Sequence, residues 1–450
     1  MDNNDGRIVH SSSQIVFLLS NNMISINFTN SYRYHYLLKQ FVAVLLAIFL
    51  TKVLSLREIG EVELIFFYGY LFFYFWTQGF SQEALRSVGG KNSSESDIFQ
   101  FYLVLISCGL VILLISVFSS LPLFQEVNIT SLRYFFGFLC LMSILEVLPL
   151  VFYKNEKFKL YIGITSVTYG SYLLIFAGLF WYFGFSDEVF KWIFIYGLIV
   201  HGILFLYVKK HFVFKFSLIS FRSKFKSGVP FSLYALLGAF AMIFDAWLIQ
   251  YHYQDAELFA VYRYGARELP LLGMLIFSTS NSIIPSISSD LLKGVNLIRK
   301  ETTRLIKLYL PIVCLLMLIS PFVFPLIFTP DFKQSSIIFN TYILIMISRL
   351  MFSHTILLGK GDHRTLLNVS LLELVINVLL SILFMQYWGV LGIVYATVIA
   401  FIFEKLIYTI IVKKRYNQSF AKYTNTKWFF IFSMASILSY MLSIFIYDKV

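Results

Sequence analysis

Apolar positions in this chain fall into long runs, and polar positions gather in the short gaps between them. A helix needs about 20 apolar residues to cross roughly 30 Å of hydrocarbon, and thirteen runs come close to that length. The first six are Tyr36–Leu54, Gly60–Phe80, Ile98–Phe118, Leu132–Phe152, Leu160–Phe183 and Val189–Val208. Six more follow at Val229–Gln250, Leu258–Ile284, Leu305–Phe328, Ile337–Leu358, Leu366–Met385 and Gly389–Val412. The thirteenth, Trp428–Tyr447, lies near the last residue. Each predicts a membrane-spanning helix. Met1–Ser31 contains "IVFLL" but is short, rich in Asn and Ser, and lacks a basic start. It matches neither a signal peptide nor a span, so residues 1–35 read as a tail, on the cytoplasmic side.

The gaps repeat as well. "VKKHF" at Val208–Phe212 and "VKKRY" at Val412–Tyr416 each end an apolar run with a burst of positive charge. Working backward, "YKNEKFKLYIG" at Tyr153–Gly163 falls on "GKGDHRTLLNV" at Gly359–Val369. Nearer the start, "REIGEVELIFF" at Arg57–Phe67 falls on "DAELFAVYRYG" at Asp255–Gly265, and "GFSQEALR" falls on "STSNSIIP". Each half then holds six spans, and an even number makes both halves point the same way. Such parallel repeats are related by an axis along the membrane normal. The expected fold class is all-α, a polytopic integral membrane protein of two six-helix parallel repeats plus about one extra C-terminal helix. The lobes are residues 36–226 and 227–416, and the extra helix lies in 417–450.

Composition agrees with that class. Of 450 residues, 58% are hydrophobic and 13% charged, where a soluble domain carries about 25% charged residues. The formal charge of +12 invites a nucleic-acid reading, but its distribution removes it. With the N-terminus inside, 26 of the 36 Lys and Arg fall in inner loops. That is the positive-inside rule, so the charge reports topology.

Enzyme chemistry finds no footing. The strings "GGKNSS" and "GKGD" lack the upstream glycine of a phosphate-binding loop. Cys108, Cys140 and Cys314 stand singly in apolar runs and read as small hydrophobes. The seven His show no metal spacing. The longest outer loop, near Ser119–Ser131, is too short to house a catalytic domain. No cofactor, no metal and no nucleic-acid partner is expected.

Charge inside the spans remains. Glu146, Asp245, Arg263, Arg267, Glu268, Arg349, Glu373, Glu404 and Lys405 all lie well within apolar runs. A central charge costs about 2.5–3.5 kcal/mol on insertion scales, so most must face protein or a watery cavity. Asp245 and Arg263 lie at matching depths in neighbouring spans, which suggests an ion pair. Arg267, one helical turn from Arg263 on the same face, is then left over and becomes the better cavity cation. Pro270 would free the carbonyl of Ala266 and bend that helix. Arg349 has two readings, a cavity cation or a partner for Glu146, whose repeat equivalent lies one turn away.

Several of these stretches resemble one family. "FDAWLIQYHYQDAELFAVYRYGARELPLLGMLIFSTSNSIIPSIS" is similar to the seventh and eighth helices of bacterial polysaccharide flippases. These form the Wzx-type branch of the multidrug/oligosaccharidyl-lipid/polysaccharide exporter (MOP) superfamily. Asp245, Ala260–Tyr262 and Pro285–Ser286 occupy places in the family's pattern. The stretch from Leu357 to Ala400 resembles its helices ten to twelve, with Asn377 and the "GxxGxxxAT" turn of Gly389, Gly392, Ala396 and Thr397. "LTKVLSLREIGEVEL" and "QGFSQEALRSV" look like its first two helices. The resemblance runs from about Tyr36 to Arg415. Relatives have twelve or fourteen spans, and thirteen is a departure.

The resemblance implies translocation of a polyprenyl-diphosphate-linked oligosaccharide from the cytoplasmic to the periplasmic leaflet of the bacterial inner membrane, for O-antigen, capsule or exopolysaccharide biosynthesis. Membrane lipids, a polysaccharide polymerase and export machinery are the partners it suggests. A diphosphate in an enclosed path calls for cations, and Arg offers a bidentate fork. Arg267, Arg263, Arg349 and Lys52 are the candidate substrate-binding cations, and Asp245, Glu146 and Glu373 the candidate structural or coupling acids. The alternatives are a peptidoglycan-precursor flippase or a drug/cation antiporter of the same fold, and, further off, a membrane polysaccharide polymerase.

Overall fold

The computed structural model describes residues 28–88, 95–118, 128–155, 157–211, 216–266 and 270–449, which are helical and contain no strand. The first half comprises α1 (Phe28–Val53), α2 (Leu56–Val88), α3 (Glu95–Phe118), α4 (Ile129–Met142), α5 (Leu148–Asn155), α6 (Phe158–Phe183) and α7 (Asp187–Val208). The second comprises α8 (Leu218–Tyr253), α9 (Ala256–Gly265), α10 (Pro270–Ser289), α11 (Leu291–Ile327), α12 (Lys333–Ile343), α13 (Ile345–Arg349), α14 (Ser353–Gly359) and α15 (His363–Tyr416). A short α16 (Phe420–Tyr423) leads to α17 (Thr426–Tyr447).

By length and apolarity, seven described helices can cross a membrane, or eight if Pro330–Arg349 and Ser353–Gly359, bent by 49°, form one span. The protein is a multi-pass membrane protein. The remaining expected runs lie on α2, α3, α8 and α9–α10, and the 54-residue α15 carries two of the thirteen. Its turn is at Gly389, whose φ of 59° and ψ of −137° are open to glycine and strained for other residues. Side-chain bonds between Asp362 and Arg415, Ser370 and Glu404, and Asn377 and Thr397 hold the two arms side by side. At the turn the arms touch closely: a Cβ on Gly392 would sit 2.1 Å from the Phe384 carbonyl oxygen.

The fourth and tenth expected spans both break, at equivalent places. α4 passes through a 3-10 turn at Ser143–Glu146 before α5, while α13 ends at Arg349 and α14 begins at Ser353. Two expected limits shift. α1 begins at Phe28, inside the expected tail, and the lobe boundary at 226/227 falls within the continuous α8. Most of the expected outer loop lies outside the described residues, and at its end Asn128 caps α4 by accepting from Thr130 N and Ser131 N at 3.1 and 3.2 Å.

α2 packs against both α8 and α9, so the halves meet along it. One apolar core runs through that junction, from Leu46 and Phe67 to Phe259, Tyr342 and Val394. Away from it, Val167, Leu174, Ile199, Ile203 and Leu379 are exposed, the outer surface that lipid tails solvate. α17 lies along α11 through a face of small residues, Ser433, Ser436, Ser439 and Ser443, which lets helices approach closely. Lys307 over the Trp428 ring and Lys333 over the Tyr447 ring, both at 4.7 Å, hold its two ends.

Candidate functional site

Where the halves meet, the starts of α2 and α9 are in backbone contact. A Cβ on Gly60 would lie 1.9 Å from the Ala256 carbonyl oxygen, so only glycine allows the approach. Asp255 caps α9 there by accepting from Glu257 N and Leu258 N at 2.8 and 3.1 Å. Three side-chain contacts follow across the junction. Tyr264 OH donates to the Ala47 carbonyl at 3.0 Å. Lys52 Nζ donates to the Phe328 carbonyl at the C-cap of α11, where the helix dipole favours a cation. Arg263 Nε donates to Glu63 Oε2 at 3.4 Å, and its guanidinium lies 5.9 Å from the Phe67 ring centre.

This arrangement overturns the expected Asp245–Arg263 pair. Glu63, only 2% exposed, takes Arg263 because α9 turns that face toward α2. Asp245 points into the second half instead, fully buried. Its Oδ2 accepts from Thr397 Oγ1 at 2.5 Å and from Tyr342 OH at 3.0 Å. Tyr342 in turn accepts from Tyr262 OH at 3.0 Å, and Asn377 Nδ2 donates to Thr397 Oγ1 at 2.9 Å. Ser381, one turn from Asn377, faces the carboxylate. Asp245 Oδ1, Asn377 Oδ1 and Ser381 Oγ are buried without a hydrogen-bond partner. Hydroxyls and an amide, with no cationic side chain bonded to Asp245 among the described residues, make this a place suited to a proton or a monovalent cation. Among the described residues no His, Cys, Asp and Glu cluster matches a transition-metal site.

A second polar group lies further along α15. Ser370 Oγ and Tyr408 OH donate to Glu404 Oε1 at 3.1 and 3.0 Å, and Lys405 Nζ reaches Glu404 Oε2 at 2.6 Å. Glu373 stands between the two groups, 7% exposed, with Oε1 unpartnered.

Arg267 lies outside the described residues; α9 ends before it and Pro270 opens α10 after it. Arg349 is the half-buried last residue of α13. Glu146 ends the 3-10 turn of the first half beside Tyr169. Thus Arg263 and Lys52 come together at the junction, while Asp245 and Glu373 share the interior of the second half. Glu63, Tyr342 and Ser381 escape the sequence reading. Glu63 lies three residues inside an apolar run and looks like an end charge, whereas hydroxyls carry no periodic signal.

No protein-family model matches the chain, and no curated protein does. Solved structures do. A lipid II flippase, MurJ, in an inward closed conformation superposes with a TM-score of 0.61 at 18% identity, covering 94% of this chain and 99% of its own. An inward-facing multidrug resistance MATE family transporter of the MOP superfamily gives 0.65 at 15%, covering 90% and 98%. A Vibrio cholerae MATE transporter, VcmN, gives 0.56 at 13%, covering 90% and 100%. The fold is that of MurJ and the MATE transporters. Near-complete coverage on both sides means this chain carries that fold whole, with its buried Asp245 group and its two-half junction set within it.

Proposed function

We infer that this protein is a flippase that carries a polyprenyl-diphosphate-linked oligosaccharide from the cytoplasmic to the periplasmic leaflet of the inner membrane by alternating access. The observation that carries the reading is the pairing of a flippase-like fold, spanned end to end, with Arg263 placed between the two halves. A cation there meets a diphosphate as the halves part, and its fork suits phosphate oxygens. Arg267, Arg349 and Lys52 are the further cations assigned to the path. Asp245 supplies the coupling group, loading a proton or a monovalent cation in the second half. The cargo is a repeat unit for O-antigen, capsule or exopolysaccharide, delivered to a polymerase and the export machinery.

Proteoliposomes holding fluorescent undecaprenyl-diphosphate glycans test this. The protein should make the label that starts in the inner leaflet accessible to an external, membrane-impermeant quencher, and Arg267→Ala should slow that at least tenfold without loss of folded protein. Activity on lipid II alone would instead identify a peptidoglycan-precursor flippase. The buried carboxylate favours a second reading, a drug/cation antiporter of this fold, because such a group serves ion exchange equally well. Efflux of a cationic dye without any glycan movement would establish it.

A further inference from the structure

The polar residues of α15 form one continuous seam. On its first arm Asp362, Thr365, Ser370, Glu373, Asn377 and Ser381 follow at three- to five-residue spacing, the spacing of one helix face. Facing them on the second arm are Thr397, Glu404, Tyr408 and Arg415. Cross-arm bonds link the two sides at almost every turn. Arg415 Nη1 donates to Asp362 and, at 2.6 Å, to Thr365 Oγ1. Tyr408 OH lies 3.2 Å from the Leu366 carbonyl and 3.0 Å from Ser370 Oγ. Further in, the Glu404 bonds come next, and the Asn377–Thr397–Asp245 chain closes the inner end. At about 1.5 Å per residue, Asp362 lies roughly 22 Å along the arm from Asn377, so the seam connects the buried carboxylate to one membrane face. The charge pattern assigns that face to the cytoplasm.

One link is missing at a single level. Glu373 is buried on the seam, one turn from Ser370 on one side and one turn from Asn377 on the other, and its Oε1 has no partner. Lipid solvates the opposite face of the arm, where Leu371, Leu372, Val375 and Leu379 are exposed. A buried carboxyl with an unpartnered oxygen is costly. Asp245 on α8 and Glu404 and Lys405 on the second arm lie within electrostatic reach of it. Other ionisable groups on elements packed against α15 are Lys333 and Tyr342 on α12, Arg349 on α13, His354 on α14, and Arg222, Lys224, Lys226, Tyr251, His252 and Tyr253 toward the two ends of α8.

We propose that Glu373 is a proton way-station, passing a proton along the α15 seam between Asp245 and the Glu404–Tyr408–Ser370 group on the cytoplasmic side. The step is a proton transfer in three parts: a proton from the cytoplasmic side first protonates the Glu404 carboxylate, an O–H bond then forms at Glu373 as that one breaks, and last the O–H bond at Glu373 breaks as one forms at Asp245. Asp245 Oδ1, Asn377 Oδ1 and Ser381 Oγ, all lacking a protein partner, are the acceptors that an inner relay through water needs. Lys405, already bonded to Glu404, balances the charge of the lower carboxylate, so a proton arriving at Glu373 does not have to neutralise both.

The inference rests on the coupling role assigned to Asp245, but its test needs no glycan. Infrared difference spectra of the reconstituted protein after a pH jump should show a carboxylic C=O band that Asp245→Asn removes. Glu373→Gln, which keeps volume and polarity, should leave that band in place and slow its appearance at least tenfold, and Glu373→Asp should restore part of the rate. Melting temperature shows whether each variant is folded; if Glu373→Gln does not fold, the rate in Glu373→Asp decides. An unchanged rate in the folded variant would overturn the proposal, as would the absence of any Asp245 band between pH 4 and 9. A protein that moves no glycan but shows the slowed band would remove the flippase reading and leave this one standing.

Discussion

Arg263 and Glu63 show what a single buried acid demands of its neighbours. Glu63 is 2% exposed and its side chain bonds Arg263, so removing the guanidinium takes the paired cation from a buried carboxylate. Breaking a buried pair at one partner costs about 3–5 kcal/mol, and the half-exposed Arg263 places this pair toward the lower figure. Arg263→Ala should therefore lower the melting temperature in detergent and the yield of folded protein. Glu63→Gln combined with Arg263→Ala should recover most of both, because the stranded charge is gone. A single and a double variant of equal stability would mean that the pair contributes nothing. The residue scale is also where the sequence is hardest to read. Asp245 and Arg263 match in depth, but depth along two helices leaves their rotation open, and rotation sends one toward Thr397 and Tyr342 and the other toward Glu63. Asn377 and Thr397 stand out as motif residues, whereas their convergence on Asp245 depends on the fold of α15.

At the scale of elements, the apolar runs foretell the helices well, because a span must satisfy all its backbone hydrogen bonds internally. Breaks within spans are less legible, since Leu350–Phe352 is as apolar as its surroundings and the charge of Glu146 reads as an intramembrane group with no sign of a 3-10 turn. The hairpin of α15 is legible in "YWGVLG", where two glycines serve different needs. Gly389 needs its positive φ and Gly392 its missing side chain. Gly389→Ala should cost about 1–3 kcal/mol through backbone strain alone, since its nearest neighbour, Tyr253 OH, would stand 3.4 Å away. Gly392→Ala should destabilise more, because a backbone carbonyl must move. Thermal unfolding in detergent separates the two, and a harmless Gly392→Ala would place the arms further apart than described. At the other end of the hairpin, burial pushes the Asp362 carboxyl up, but hydrogen bonds from Thr365 and Arg415 and the Arg415 charge outweigh it and hold the pKa below its usual value. A depressed pKa stabilises the fold fully above the unfolded value of about 3.9 and loses that contribution as pH falls through the lower folded value. Asp362→Asn keeps an N-cap and removes the charge. Its melting temperature should fall slightly below that of the parent at pH 7, by what about 0.2–1 kcal/mol implies for an exposed pair. The difference should shrink progressively as pH falls below about 3.9, and a gap that widens on acidification would contradict it.

For the whole molecule, the repeat predicts two halves that move against each other, and the junction shows where they are held. Gly60 on Ala256, Lys52 on the Phe328 carbonyl, Tyr264 on the Ala47 carbonyl and Arg263 on Glu63 all lie at the end that the charge pattern assigns to the periplasm. If that assignment holds, a reporter fused near Gln254 reads periplasmic and reporters after Lys226 or Arg415 read cytoplasmic. A periplasmic reading after Arg415 would break the equivalence of the halves. Under the proposed function, delivery of a headgroup to that face requires these contacts to part. Glu63→Cys with Arg263→Cys removes both charges together, so no buried carboxylate is stranded. In a chain whose Cys108, Cys140 and Cys314 are replaced by Ser or Ala, a short, reducible bifunctional thiol reagent should join the two positions. Glycan movement in proteoliposomes, already slowed by the loss of the Arg263 cation, should stop on crosslinking and return to that slowed rate when the link is reduced. Arrest that reduction does not reverse would point to chemical damage. The same slowed transport with the link intact would show that the halves stay together here, and that the cargo leaves by a route that does not separate α2 from α9.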